Sequence, residues 1–158
     1  MTTAHTPLTL LDPDGGWVNA PVHVHDLRGK PVLLHFFSLS SDTTAASVSD
    51  LKAWAAEYAP RGLRVISVVS PADGKLVDRA VLDTNFVEGQ AKTLGLTHPI
   101  AVDDGSMARA YSVDALPAYL VFDGEGTLRQ HVSGDHATQD LRRTLEQAVD
   151  AAHEAHAF

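Results

Sequence analysis

The chain has 158 residues, 44% hydrophobic and 20% charged, which fits one globular domain around one core and excludes a disordered chain. Its formal net charge is −8, and its twelve basic residues are scattered, which argues against nucleic acid and anionic membrane as partners. It has no cysteine, so a disulfide framework, a thiolate nucleophile and a cysteine metal site are all excluded.

Leu8 to Leu11 reads as a short strand, Asp12 to Gly16 as a turn, and Val18 to His25 as a second strand. Asp26 to Lys30 leads into the stretch that organises the chain, Lys30 to Leu51. Val32-Leu33-Leu34 and Phe36-Phe37 form an apolar run, the pattern of a strand buried on both faces. A polar turn, Ser38 to Thr44, follows. Ala45, Val48, Leu51 and Tyr58 then fall at helical spacing, with Asp50, Lys52 and Glu57 between them. A buried strand thus runs through a turn into a helix N-terminus, where free N–H groups and the helix dipole stabilise an anion.

Pro60-Arg61-Gly62 ends that helix. Leu63 to Val69 is rich in β-branched residues and predicts a buried strand. Leu76 to Leu94 allows two helical pieces, with Phe86 facing inward and Gly89 weakening the second. Pro99 to Val102 is a short strand and Ser106 to Tyr111 a short helix. Leu120 to Phe122 and Leu128 to Val132 flank a turn at Asp123-Gly124-Glu125-Gly126 and predict a hairpin. Thr138 to about His156 is a closing helix with Leu141, Leu145, Ala148 and Val149 on one side. Alternating strands and helices, then a hairpin and a helix, predict an α/β architecture with a mixed sheet. No repeat or long linker divides the chain, so residues 1–158 are expected to form a single domain with its core at about 8–149.

Two segments resemble a known family. Leu27-Arg28-Gly29-Lys30-Pro31-Val32-Leu33-Leu34, leading into the polar turn, is similar to the active-site entry of the thioredoxin-like superfamily, in particular the TlpA/ResA-type thiol–disulfide reductases (redoxins). Tyr111 to Gly126 resembles that family's later segment, where a proline, here Pro117, is cis. The resemblance implies a thioredoxin-like fold: a central mixed sheet flanked by helices, with an N-terminal β-hairpin. It also places the family's Cys-x-x-Cys tetrad on Ser41-Asp42-Thr43-Thr44, with Ser40 in place of the tryptophan. Both cysteines are absent.

Ser41 and Thr44, the positions of the lost pair, accordingly have two readings. A serine can act as a nucleophile beside a base, but Ser, Asp and Thr at a helix start are first of all caps. His35, in the core strand, is the possible auxiliary residue, pointing under the turn towards Thr44 as base, donor or pH-sensitive group. The plainer reading, which is preferred, is a neutral buried histidine satisfied by a hydroxyl or carbonyl. Nine histidines raise the question of metal. His23 with His25, and His153 with His156, supply only two ligands each, so no metal site is assigned. No Gly-rich phosphate loop is present and no cofactor is expected. By the resemblance, Leu39, Ser40, Leu116 and Pro117 line a groove where polypeptide adds by backbone pairing, which requires no thiol.

The reading preferred from sequence is a redox-inactive thioredoxin-like domain that binds peptide or protein beside Pro117. The alternatives are a thiol–disulfide oxidoreductase, contradicted by the absence of cysteine, and a Ser/His hydrolase-type enzyme. No apolar run is long enough to span a bilayer. Met1 to Leu11 lacks the features of a signal peptide. A soluble cytoplasmic chain is expected, or an extracytoplasmic one if a leader has been removed. Oligomeric state is not legible.

Overall fold

The computed structural model describes residues 17–19, 27, 29–37, 44–69, 84–103, 109–111, 113, 118–124, 126–133 and 138–155. Strands β1 (Trp17–Val18), β2 (Val32–Phe37), β3 (Arg64–Val69), β4 (Ile100–Val102), β5 (Ala118–Phe122) and β6 (Leu128–Ser133) form one sheet in the order β1-β4-β3-β2-β5-β6. Helices α1 (Thr44–Tyr58), α2 (Thr84–Leu94) and α3 (Thr138–Ala155) accompany it. The sheet is mixed: β2 runs parallel to β3 and antiparallel to β5, and β4 is parallel to β3. Of the expected hairpin's second strand, Val18–His25, only Val18 is seen as strand, in the edge strand Trp17–Val18 antiparallel to β4; Asn19 leaves it at φ 76°, and residues 20–25 and Leu8–Leu11 lie outside the described residues.

The central position of β2 follows from its sequence. All six of its residues are buried, so only a strand with neighbours on both edges and cover on both faces suits it. Alternation sends Leu34 and Phe36 to one face, where they join Ile66, Val68, Leu120 and Phe122 in a cluster with Tyr111 and Val113. Leu33 goes to the other face and packs with Leu51, Trp54 and Tyr58 of α1 and with Leu141 and Leu145 of α3. Full burial of each such side chain contributes about 1.5–3 kcal/mol. Phe37 lies further along with Val69, Val87 and Ala91, which seats α2.

Helix α1 ends as expected. Pro60 falls in a 3-10 turn, Ala59–Arg61, and Gly62 closes it at φ 107°, a left-handed conformation that suits glycine. The Tyr58 hydroxyl donates to Glu146 of α3 at 3.1 Å, and Arg61 bonds the same carboxylate at 3.2 Å, which ties α1 to α3. Burial, and then the bond to Glu146, push the Tyr58 phenol up to about 12. The β5–β6 turn is held by Asp123, whose carboxylate accepts from the Thr127 amide at 3.0 Å and pairs with Arg129 at 2.8 Å.

The second piece of the expected Leu76–Leu94 helix is α2, and the first lies outside the described residues, as does the Phe86 side chain. Of the expected helix Ser106–Tyr111, Arg109 and Ala110 are helical. Helix α3 buries Leu141, Leu145, Ala148 and Val149 as anticipated. No helix among the described residues is long and apolar enough to cross a membrane.

Candidate functional site

Strand register assembles the site. His35 is the one polar residue in β2, and Ser67 is the one polar residue within the buried part of β3. The parallel pairing sets them directly opposite each other, on the same face. On the far side of β3, Ser67 stands opposite Ile100, and the chain entering β4 brings His98 over it. The Ser67 hydroxyl lies 3.1 Å from His35 Nδ1 and 2.6 Å from His98 Nε2. One serine hydroxyl therefore bridges two imidazoles, from the centre of the sheet to the loop before β4.

A hydroxyl has one proton to give. In one arrangement Ser67 donates to His35 and accepts from His98 Nε2–H. In the other it donates to His98 and accepts from His35 Nδ1–H. Each leaves both rings neutral, and each fixes the tautomer of both. Burial drives His35 down to about 3, with the neighbouring His98 adding to the effect, and burial brings His98 down to about 4. The His35 ring is also enclosed by aromatics: it stacks on Phe37 at 4.9 Å and on Tyr119 at 5.1 Å, and Trp54 meets Tyr119 edge-on. The preferred expectation for His35, a neutral buried imidazole satisfied by a hydroxyl, matches its bond to Ser67. Its expected approach to Thr44 falls outside the described side chains.

The second half of the candidate site is where β2 hands over to α1. Strand β2 ends at Phe37 and α1 begins at Thr44. Ala118, the first residue of β5, stands opposite Phe36, so the end of β2 and the start of β5 meet at one end of the sheet. Leu39, Ser40, Ser41, Leu116 and Pro117, the expected cap residues Asp42 and Thr43, and the Leu116–Pro117 peptide bond lie outside the described residues. So do His23, His25 and His156, and the side chain of His153. Ser67 and His98 were not singled out from sequence. A lone serine inside the β-branched run Arg64–Val69 was the available signal for the first, but only the register shows what it meets.

The chain matches the AhpC/TSA family over residues 6–131. It is 28% identical over 145 residues to the thiol-disulfide oxidoreductase YkuV of Bacillus subtilis, covering 90% of this chain and 94% of that protein. It is 28% identical over 122 residues to the thiol-disulfide oxidoreductase ResA of Geobacillus kaustophilus, covering 77% of this chain and 64% of that one. Among solved structures it superposes on a thioredoxin-like protein in its oxidized form with a TM-score of 0.79, at 26% identity, over 95% of this chain and 99% of that one. The sheet and its helices are therefore those of the thioredoxin-like fold, and with a match over most of its length this cysteine-free chain belongs to the AhpC/TSA family.

Proposed function

We propose that this protein keeps the thioredoxin-like scaffold for binding and has no dithiol redox cycle. Its partner would be a peptide or protein segment held in the groove beside Pro117, with Leu39, Ser40 and Leu116 as the other contacts. One observation carries this reading: the family and fold are retained while the cysteine count is zero. Thiol–disulfide exchange needs a thiolate that attacks and a second sulfur that resolves the mixed disulfide. Ser41 and Thr44 supply hydroxyls instead, which neither ionise near neutrality nor form disulfides. Backbone pairing with an extended partner depends only on free main-chain groups and shallow pockets, and survives that loss.

A hydrolase built on a Ser–His pair has less support. Ser67 has two histidines within hydrogen-bond reach but is fully buried, so its hydroxyl is closed to substrate. His35, held near pKa 3 by burial, is a poor base at neutral pH.

The test uses the full chain and a polypeptide without thiols, S-carboxymethylated insulin B chain, followed by backbone amide NMR. Shifts are expected at Leu39, Ser40 and Leu116, and they should vanish in the Leu116→Glu variant. No shift at millimolar peptide refutes the binding half of the proposal. In parallel, insulin reduction with dithiothreitol should run at the rate seen without protein, and a rate above it refutes the redox half.

A further inference from the structure

A second site lies at the opposite end of the sheet. A cleft of about 790 Å³ opens between the C-terminal half of α1, the start of β3 and the segment 95–99. That volume is in the range of small-ligand pockets. Its apolar part includes Ala55 of α1 and Ala59 of the 3-10 turn that follows it. Lys30, Lys52 and Arg64 also line it, and no carboxylate does among the described residues. In a chain of net charge −8 this is a local inversion of sign. Elsewhere Arg61, Arg129 and Arg142 are paired with carboxylates, but these three cations have no such partner among the described residues.

The cleft also holds an open rung of the sheet. Arg64, Ile66 and Val68 direct their backbone groups to β2, as the 2.9 Å bond from Arg64 N–H to Pro31 C=O shows. Val65, Ser67 and Val69 therefore face the other way. Ser67 N–H reaches Pro99 C=O at 3.1 Å, and Val69 C=O accepts from Asp103 N–H at 2.9 Å. The next rung down would join Val65 to Thr97 C=O and to the N–H of residue 99. Residue 99 is proline and has none to give. Among the described residues neither the N–H nor the C=O of Val65 has a partner, although the residue is buried. Backbone groups in such a place are normally paired.

The wall opposite is fixed in position. Asn19, itself at φ 76°, donates its side-chain amide to His98 C=O at 2.7 Å and to Leu96 C=O at 3.3 Å. Lys52 Nζ donates to Leu94 C=O at 3.3 Å. These bonds hold the backbone of Leu94, Leu96 and His98 in place.

We propose that this cleft is a binding site separate from the groove beside Pro117, and that it takes a short, extended acidic peptide. The peptide's backbone would supply one acceptor and one donor to the Val65 rung, as an added strand does. Its carboxylate would lie among Lys30, Lys52 and Arg64. A simple anion would satisfy the cations and leave the rung open, and a neutral peptide would do the reverse. Only an acidic peptide answers both features.

The experiment is a titration of the full chain, labelled for amide NMR, with the blocked tripeptide acetyl-Ala-Glu-Ala-amide. Its neutral counterpart, acetyl-Ala-Gln-Ala-amide, and sodium acetate serve as comparisons. The Glu peptide should shift the Val65 amide and slow its exchange, and bind about tenfold more tightly than the Gln peptide, as one charge-assisted bond implies. Lys52→Gln and Arg64→Gln each remove one of the three cations, and each should weaken the Glu peptide by a similar factor, read from the change that peptide causes at Val65 in each variant's own spectrum. Equal binding of the two peptides, an acetate response at Val65 equal to the peptide's, or no Val65 response at millimolar peptide would each overturn the assignment. Because the reporter is Val65 and not Leu39 or Leu116, failure here is distinct from failure of the Pro117 groove.

Discussion

The His35–Ser67–His98 chain makes the fold sensitive to mild acid, and His35→Gln should remove half of that sensitivity. Both histidines are neutral in the folded protein, near pKa 3 and 4, whereas in the unfolded chain each titrates near its ordinary 6.5. Between those values the unfolded state binds more protons, so stability rises with pH. It is complete above about 6.5 and falls as the pH drops towards the folded values. At pH 5.5, one unit below the unfolded pKa, each histidine lowers stability by about 1.4 kcal/mol relative to pH 7.5. The pair together accounts for a loss of about 3 kcal/mol, a large share of the ~5–15 kcal/mol that holds most domains folded. Glutamine at position 35 cannot titrate, yet its amide can donate to the Ser67 hydroxyl or accept from it. Urea unfolding followed by far-UV circular dichroism at pH 7.5, 6.5 and 5.5 measures the slope. The parent chain should lose about 1.4 kcal/mol more than His35→Gln over that range. Identical pH profiles for the two proteins would show that His35 is not held neutral by the fold, and the reasoning from its burial would be wrong.

Two further outcomes follow from the same geometry. Ser67→Ala removes the hydroxyl shared by the two imidazoles, which should cost about 1–3 kcal/mol in urea unfolding at pH 7.5; an unchanged midpoint would mean the bridge is not structural. Gly95→Ala places a Cβ at φ +75° and 2.8 Å from Lys52 Nζ, so it should lower stability by about 1–2 kcal/mol, chiefly through the backbone since the lysine head can swing away; a melting temperature at or above the parent's would refute this.

The sequence by itself determined the architecture, because the signals that specify it are local. An apolar run such as Val32–Phe37, interrupted only by His35, fits an interior strand, and Leu141, Leu145, Ala148 and Val149 fit the inner side of a helix. Pro60 and Gly62 stop α1 where they stand, since each restricts or frees φ at its own position. The absence of cysteine was equally plain, and it bounds the chemistry whatever the fold. The partners of His35 were not legible in this way. Ser67 lies 32 residues from it and His98 a further 31, and no periodicity relates residues on different strands. Their meeting depends on the β2–β3 register and on where β4 begins, which the packing of whole faces decides. The cleft at Val65 has the same origin. Pro99 reads in sequence as the start of a strand, and only its place beside β3 makes its missing N–H an open rung, because a backbone donor is lost only relative to the acceptor that tertiary structure sets opposite it.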